Sequence, residues 1–148
     1  MNSRGFEVVS KYLNSNILIP ERKTKGSAGY DISCAQDMSI KPQSFAFVPT
    51  GIKSYMLEDE VLQVYPRSSL SFKKQLVLLN SVGIIDSDYY NNPDNEGEIM
   101  LIMYNYGNEA INLSKDERIA QGIFIKYLTC SKDTNNAKRL GGLGSTGI

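Results

Sequence analysis

Short runs of alternating or apolar residues, each closed off by a turn signal, repeat along almost the whole chain. Phe6–Ser10 alternates and is rich in β-branched residues, and Ser44–Val48 follows Lys41-Pro42. Leu62–Tyr65 and Leu76–Leu79 are brief. Glu98–Tyr106 alternates bulky and polar positions, and Arg118–Leu128 does so at near period two. Between them stand Pro20, Lys25-Gly26, Pro42, Pro49-Thr50-Gly51, Pro66, Asn91-Asn92-Pro93-Asp94 and Tyr106-Gly107-Asn108. A period of two puts alternate side chains on opposite faces of a sheet, and frequent turns keep each strand short. The pattern predicts an all-β sandwich, jelly roll or barrel. One short helix is expected, at Ser68–Lys74, started by a Ser cap after Pro66.

The length of 148 residues favours one domain. Lys plus Arg equal Asp plus Glu at 16 each, which argues against a broad grip on nucleic acid or on an anionic membrane. A small basic pocket for a phosphate remains compatible with that balance. The chain has no histidine, so Ser-His and Cys-His nucleophilic sites and His-ligated zinc are excluded. The two cysteines, Cys34 and Cys130, are far apart and form no CxxC, which points to a reducing compartment. No N-terminal apolar segment reads as a signal peptide, and no run approaches the roughly 20 residues of a spanning helix. A soluble, cytoplasmic protein is expected.

Several places could carry chemistry. Pro66-Arg67-Ser68-Ser69-Leu70 puts an arginine fork and hydroxyls where a strand ends and a helix begins, which suits an anion. It reads equally as a Ser cap beside a surface arginine. Asp86 follows a bulky pair in Gly83-Ile84-Ile85-Asp86-Ser87-Asp88-Tyr89 and is a candidate general base at the edge of a buried strand. The alternative is ordinary Asp-Ser-Asp turn chemistry. Ala28-Gly29-Tyr30-Asp31 reads as a tight turn with a capping Asp, or as a carboxylate facing a divalent cation through water. The tail, Ser131–Ile148, is polar and ends LGGLGSTGI. It is either a disordered end or an arm that orders on phosphates through glycine amides and the Ser145 and Thr146 hydroxyls.

Together and in this order, these pieces resemble the trimeric deoxyuridine triphosphatases (dUTP nucleotidohydrolases). SAGYD (Ser27–Asp31), PRSSL (Pro66–Leu70), NSVGIIDSDY (Asn80–Tyr89), RIAQGIF (Arg118–Phe124) and GGLGSTG (Gly141–Gly147) match that family's first to fifth motifs. The resemblance implies a β jelly roll over residues 1–130 and a flexible C-terminal arm over 131–148. It also implies a homotrimer in which each arm closes a neighbouring subunit's site. The implied reaction is Mg2+-assisted attack of water on the α-phosphate of dUTP, giving dUMP and pyrophosphate. Such an activity limits uracil incorporation into DNA and supplies dUMP for thymidylate synthesis. The metal would be held by phosphates and water, with no direct protein ligand, and Asp31 would meet it through water.

Residue by residue, the resemblance makes Asp86 the general base. Tyr89 would lie against the deoxyribose. Asn80, with backbone near Ile84 and Ile85 and across the hairpin near Met100, would read the uracil edge. Arg67, Ser68 and Ser69 would hold phosphates, with Gln121 supporting them from a neighbouring subunit. Lys138 or Arg139, with Leu143, Gly144, Ser145 and Thr146, would come from the arm.

The chain departs from the family pattern in three ways. Lys138 stands where an arginine is usual, with Arg139 beside it, and Leu143 replaces an aromatic. Tyr90–Glu96 intervenes before Gly97-Glu98, which reads as an extended hairpin loop and a place for a protein partner at Asn91–Glu96. Two alternatives on the same scaffold are a dCTP deaminase and a nucleotide-binding regulatory protein.

Overall fold

The computed structural model describes residues 2–146. Gly147, the last residue of the fifth motif, lies outside them, as does Ile148. The strands are β1 (Gly5–Val8), β2 (Tyr30–Ser33), β3 (Met38–Ile40), β4 (Ser44–Pro49), β5 (Ile52–Tyr55) and β6 (Glu60–Pro66). They continue with β7 (Leu76–Leu78), β8 (Gly83–Asp86), β9 (Met100–Asn105), β10 (Ile111–Leu113) and β11 (Arg118–Lys126). A helix, α1, covers Leu70–Lys74, and 3-10 turns lie at Ser10–Tyr12 and Ser87–Tyr89. No helix among the described residues is long and apolar enough to cross a membrane.

Every strand pairing is antiparallel. One sheet has the order β2-β11-β6-β8 and another β4-β9-β7, with the ribbons β1-β5 and β10-β3 beside them. This is the expected β jelly roll. The alternation seen in the sequence is what fills its core. Leu62 and Val64 of β6, Ile32 of β2 and Ile119 of β11 point inward from one sheet. Val48 of β4, Leu76 and Leu78 of β7, and Leu101 and Met103 of β9 meet them from the other. Each such buried side chain stabilises the fold by about 1.5–3 kcal/mol relative to exposure.

The opposite face of β4-β9-β7 is also apolar. Its register lines up Phe45, Tyr104 and Val77 in one row across the strands. Phe47 and Ile102 pair in the next row, beside Leu79, whose N–H donates to the Ile102 carbonyl. Phe45 is 56% exposed and Phe47 47%, with their rings edge to face.

The structure corrects several expectations. The helix exists, but Ser69 at its N-cap makes no side-chain cap hydrogen bond and has α-region angles. Ala28-Gly29-Tyr30-Asp31 is not a capped turn, because β2 starts at Tyr30 and is held by pairing to β11. The Tyr90–Glu96 segment is not a hairpin extension: β8 pairs with β6, while β9 pairs with β4 and β7 in the other sheet. The chain therefore crosses between layers there.

β6 sets the placement of everything that follows. At its start, Val61 pairs with Asp86 of β8. At its far end, Pro66 pairs with Ala120 of β11, and Arg67 comes next. At about 3.3 Å per residue, Asp86 and Arg67 of one chain stand roughly 20 Å apart along that strand.

Candidate active site

The predicted residues fall into two groups along β6. The first group is a cradle for an anion. Asp31 of β2 sits opposite Gln121 of β11 in register. The Asp31 carboxylate is 3.0 Å from Arg118 Nη1 and 4.0 Å from Arg67 Nε. Gln121 Nε2 donates to the Pro66 carbonyl at 3.4 Å. Gly29 packs against it, and a Cβ there would stand 2.3 Å from Gln121 Oε1, so the glutamine would have to move. Asp31, Arg67, Ser68, Arg118 and Gln121 line one open pocket of about 380 Å³. Gln121 thus shares a wall with Arg67 and Ser68 of its own chain.

Charge favours an anion in this pocket. Lys23, Arg67 and Arg118 line it against the one carboxylate of Asp31. The Ser69 hydroxyl makes no cap bond. Arg118 opens the RIAQGIF motif, and its position beside Asp31 gives it a role that the sequence reading did not assign.

The second group runs along β8, from Asn80 before its start at Gly83, opposite Val64 of β6, to Asp86 at its end, opposite Val61. Among the described residues this strand pairs only with β6, so its outer edge is open to a partner. Ile84 is 55% exposed, whereas Ile85 packs on the core. Asn80 lies exposed in the turn before β8, where the Val82 N–H donates to its carbonyl at 2.7 Å. Met100, expected beside them across a hairpin, pairs instead with Pro49 of β4.

Asp86 ends β8 in an extended conformation, and a 3-10 turn follows. Its side chain is 51% exposed, so it is a surface carboxylate in the single chain, not the partly buried one expected. Tyr89 is buried beside it. Its hydroxyl donates to the Glu98 carbonyl at 2.9 Å and accepts from Asn95 Nδ2 at 2.8 Å. Burial pushes the Tyr89 phenol up, so it stays protonated at neutral pH.

In the single chain the C-terminal arm lies on this group of its own chain, whereas the resemblance implied an arm that closes a neighbouring subunit's site. Arg139 Nη2 donates to Asp86 Oδ2 at 2.6 Å and its Nε to Asp88 Oδ1 at 2.8 Å. The guanidinium carbon lies 5.5 Å from the centre of the Tyr89 ring. Of the two cationic candidates, the Arg139 side chain is 7% exposed, whereas Lys138 is exposed. Ser145 Oγ accepts from Arg139 Nη1 at 3.4 Å. Gly144 has a φ of +74°, which glycine adopts without strain. Thr146 and Leu143 are exposed.

The arrangement of a carboxylate, a tyrosine and an arginine on a glycine-rich arm can now be set against known proteins. The family model for dUTPase matches residues 15–147. The chain belongs to the dUTPase family. A deoxyuridine 5'-triphosphate nucleotidohydrolase of Lactococcus lactis is 52% identical over 149 residues, covering 99% of each chain. A crystal structure of dUTPase from Streptococcus mutans matches with a TM-score of 0.83 at 45% identity, covering 86% of this chain and 98% of that one. A mutant dUTPase of Staphylococcus bacteriophage 80alpha, with dUpNHpp, matches at 25% identity and a TM-score of 0.72 over 100% of both chains.

Within the dUTPase family pattern, the structure explains one of this chain's departures. The turn through Gly141 and Gly142 carries Arg139, not Lys138, into contact with Asp86. Sequence reasoning read Asn92, Asp94 and Asn95 only as part of an extended loop open to a partner. Their Asx-rich composition marked a turn, and only tertiary structure shows what the turn touches.

Proposed function

We propose that this chain hydrolyses dUTP to dUMP and pyrophosphate, as expected of a dUTPase, in sites built between copies of a homotrimer. The separation of the two groups along β6 is the observation that carries this assembly. A base at one end and an anion cradle about 20 Å away cannot act on one phosphate within one chain. They can if Asp86 of one copy faces Arg67 of another. The apolar rows through Phe45 and Phe47 supply a surface for such contacts, because an exposed patch of this kind marks an interaction face.

In the mechanism, Asp86 orients a water and takes its proton as that water attacks the α-phosphorus. The bond to the pyrophosphate oxygen breaks, and the displaced pyrophosphate stays in the cradle. Arg67 holds it through a planar fork, with Ser68, Ser69 and Gln121 as neutral partners. Asn80 and the open backbone of β8 at Ile84 and Ile85 read the uracil carbonyls; Met100 lies in the adjoining sheet. Cytosine offers an amine in that place and leaves buried donors unpaired, which costs about 1–3 kcal/mol. Tyr89, held by two hydrogen bonds, presents a ring that leaves no room for a 2′-hydroxyl. On the arm, Arg139 exchanges its carboxylate partners for phosphate oxygens, and Gly144, Ser145 and Thr146 follow it, with Leu143 covering the base.

The cradle suits a magnesium ion that arrives with the substrate. Asp31 is a single carboxylate in the cradle, suited to accept hydrogen bonds from metal-bound water. The ion would neutralise phosphate charge.

Pyrophosphate release across the deoxynucleoside triphosphates tests the activity, with ammonia release from dCTP as the outcome that would favour deamination instead. Mixing tests the assembly. Asp86→Asn and Arg67→Ala proteins, each inactive alone, should recover activity together. No recovery after exchange of subunits would overturn the shared site.

A further inference from the structure

The segment that breaks the family pattern after Tyr89 is a built object. Asn91, Glu96 and Gly97 take left-handed angles, and Asn91 N–H donates to the Glu96 carbonyl at 3.0 Å. Asn92 is buried, and both faces of its amide are used. Its Oδ1 accepts from the N–H groups of Asp94 and Asn95, and its Nδ2 donates to the Tyr89 carbonyl and to Asn95 Oδ1. Asn95 in turn holds the Tyr89 hydroxyl and accepts from Gly97 N–H. Lys53, almost fully buried, ties the segment down through Asn91 at 2.6 Å and Glu96 at 2.7 Å.

One side chain of this knot points elsewhere. Asp94 Oδ2 accepts the Gly142 N–H of the C-terminal arm at 2.7 Å. Gly141 and Gly142 are buried there, although the segment before Arg139 is exposed. The fit is close on both glycines. A Cβ on Gly141 would stand 2.5 Å from Asp94 Oδ2. One on Gly142 would stand 3.2 Å from both Asn92 Oδ1 and Asn95 Oδ1. A carboxylate that accepts a backbone N–H between walls this close to the chain suits a glycine turn.

We propose that the Tyr90–Gly97 segment is the docking seat of the C-terminal arm, with Asp94 as the acceptor for the Gly142 amide and Asn92 and Asn95 as its walls. The seat explains two departures at once. The arm carries Leu143 where stacking would otherwise help to hold it closed, and the segment supplies a charge-assisted hydrogen bond in place of that stacking. Docking at Asp94 also delivers Arg139 to Asp86 and Asp88, a few residues along the same turn. The contribution to turnover rests on the dUTPase reading above; the docking itself does not.

The test uses the full chain without nucleotide. Amide exchange over residues 139–146 and the rate of tryptic cleavage after Arg139 report docking. Asp94→Ala should raise both by about fivefold, the effect of losing about one hydrogen bond. Gly142→Ala should do the same, and the double variant should add little, because both remove one contact. Asp94→Asn keeps an acceptor and should fall between. Asp133→Ala, in the exposed tail, is the control. Wild-type exchange in Asp94→Ala, or fully additive effects, would overturn the seat. Wild-type protein that leaves dUTP intact while Asp94→Ala still frees the arm would overturn the dUTPase reading alone.

Discussion

Arg139 holds Asp86 by a 2.6 Å hydrogen bond and, in the same grip, holds Asp88 at 2.8 Å. A carboxylate oxygen engaged by a guanidinium is not available to a water. Phosphate oxygens are the natural competitor for the same fork. On the proposed mechanism, substrate would free Asp86 by drawing the arginine away, which would tie arm movement to the start of chemistry.

Asp86→Asn keeps the shape and removes the basicity. Turnover should fall by about 100-fold or more, in the range of a lost general base, while dUTP binding persists. Pyrophosphate release and calorimetric titration of the variant separate the two. Near wild-type turnover would return Asp86 to a turn role.

The two neighbouring cations of the arm should behave differently. Arg139→Ala should lower kcat/KM for dUTP by about tenfold or more, the size of a charge-assisted contact. Lys138 is exposed, and Lys138→Ala should change kcat/KM by less than about threefold. Equal losses would mean that the arm shifts register when substrate binds.

Sugar selection should depend on how firmly Tyr89 is held. Wild-type protein should favour dUTP over UTP by about 100-fold. Tyr89→Ala should collapse that ratio more than it changes turnover of dUTP. A ratio that survives the substitution would place the 2′-position elsewhere.

The apolar rows predict the state of assembly. Phe47→Asp puts a charge into the face shared with Phe45, Ile102 and Tyr104. Light scattering should then report smaller species than the wild-type protein, for which a trimer is proposed, with activity lost in parallel. An intact trimer would move the interface to another surface.

Glu98 makes a pH prediction. It is 8% exposed, and burial pushes its carboxyl up, opposed by a hydrogen bond from Gly51 N–H. A folded-state value above the unfolded one means that the folded chain binds the proton more tightly. Stability from this group is then full below the unfolded value of about 4.3 and declines as pH rises through the folded value. Glu98→Gln should gain stability over wild type at pH 7 and show no gain near pH 4. Denaturant titrations at the two pH values measure this, and an equal change at both would contradict it.

Much of the fold was legible because alternation and burial coincide. Phe45 and Phe47 point out while Ala46 and Val48 point in, and the sequence spells that directly. β5 escaped because Ile52, Lys53 and Ser54 are all buried, so no alternation remains. Lys53 is buried by its pairing with Glu96 and Asn91, partners more than thirty residues away. Asp31 reads locally as a turn residue, and its place in β2 comes from pairing with β11. The motif residues of the candidate site were named by resemblance. That Arg67 and Asp86 stand at opposite ends of one strand was not, because the register of β6 with β8 and β11 belongs to no local pattern.

That strand makes the enzyme's output depend on how much of it is present. If neither end of β6 completes a site alone, dilution below the assembly constant removes activity without unfolding any chain. Specific activity would then rise with protein concentration before reaching a plateau. A cell making little of this chain would hold less than a proportional share of its catalysis.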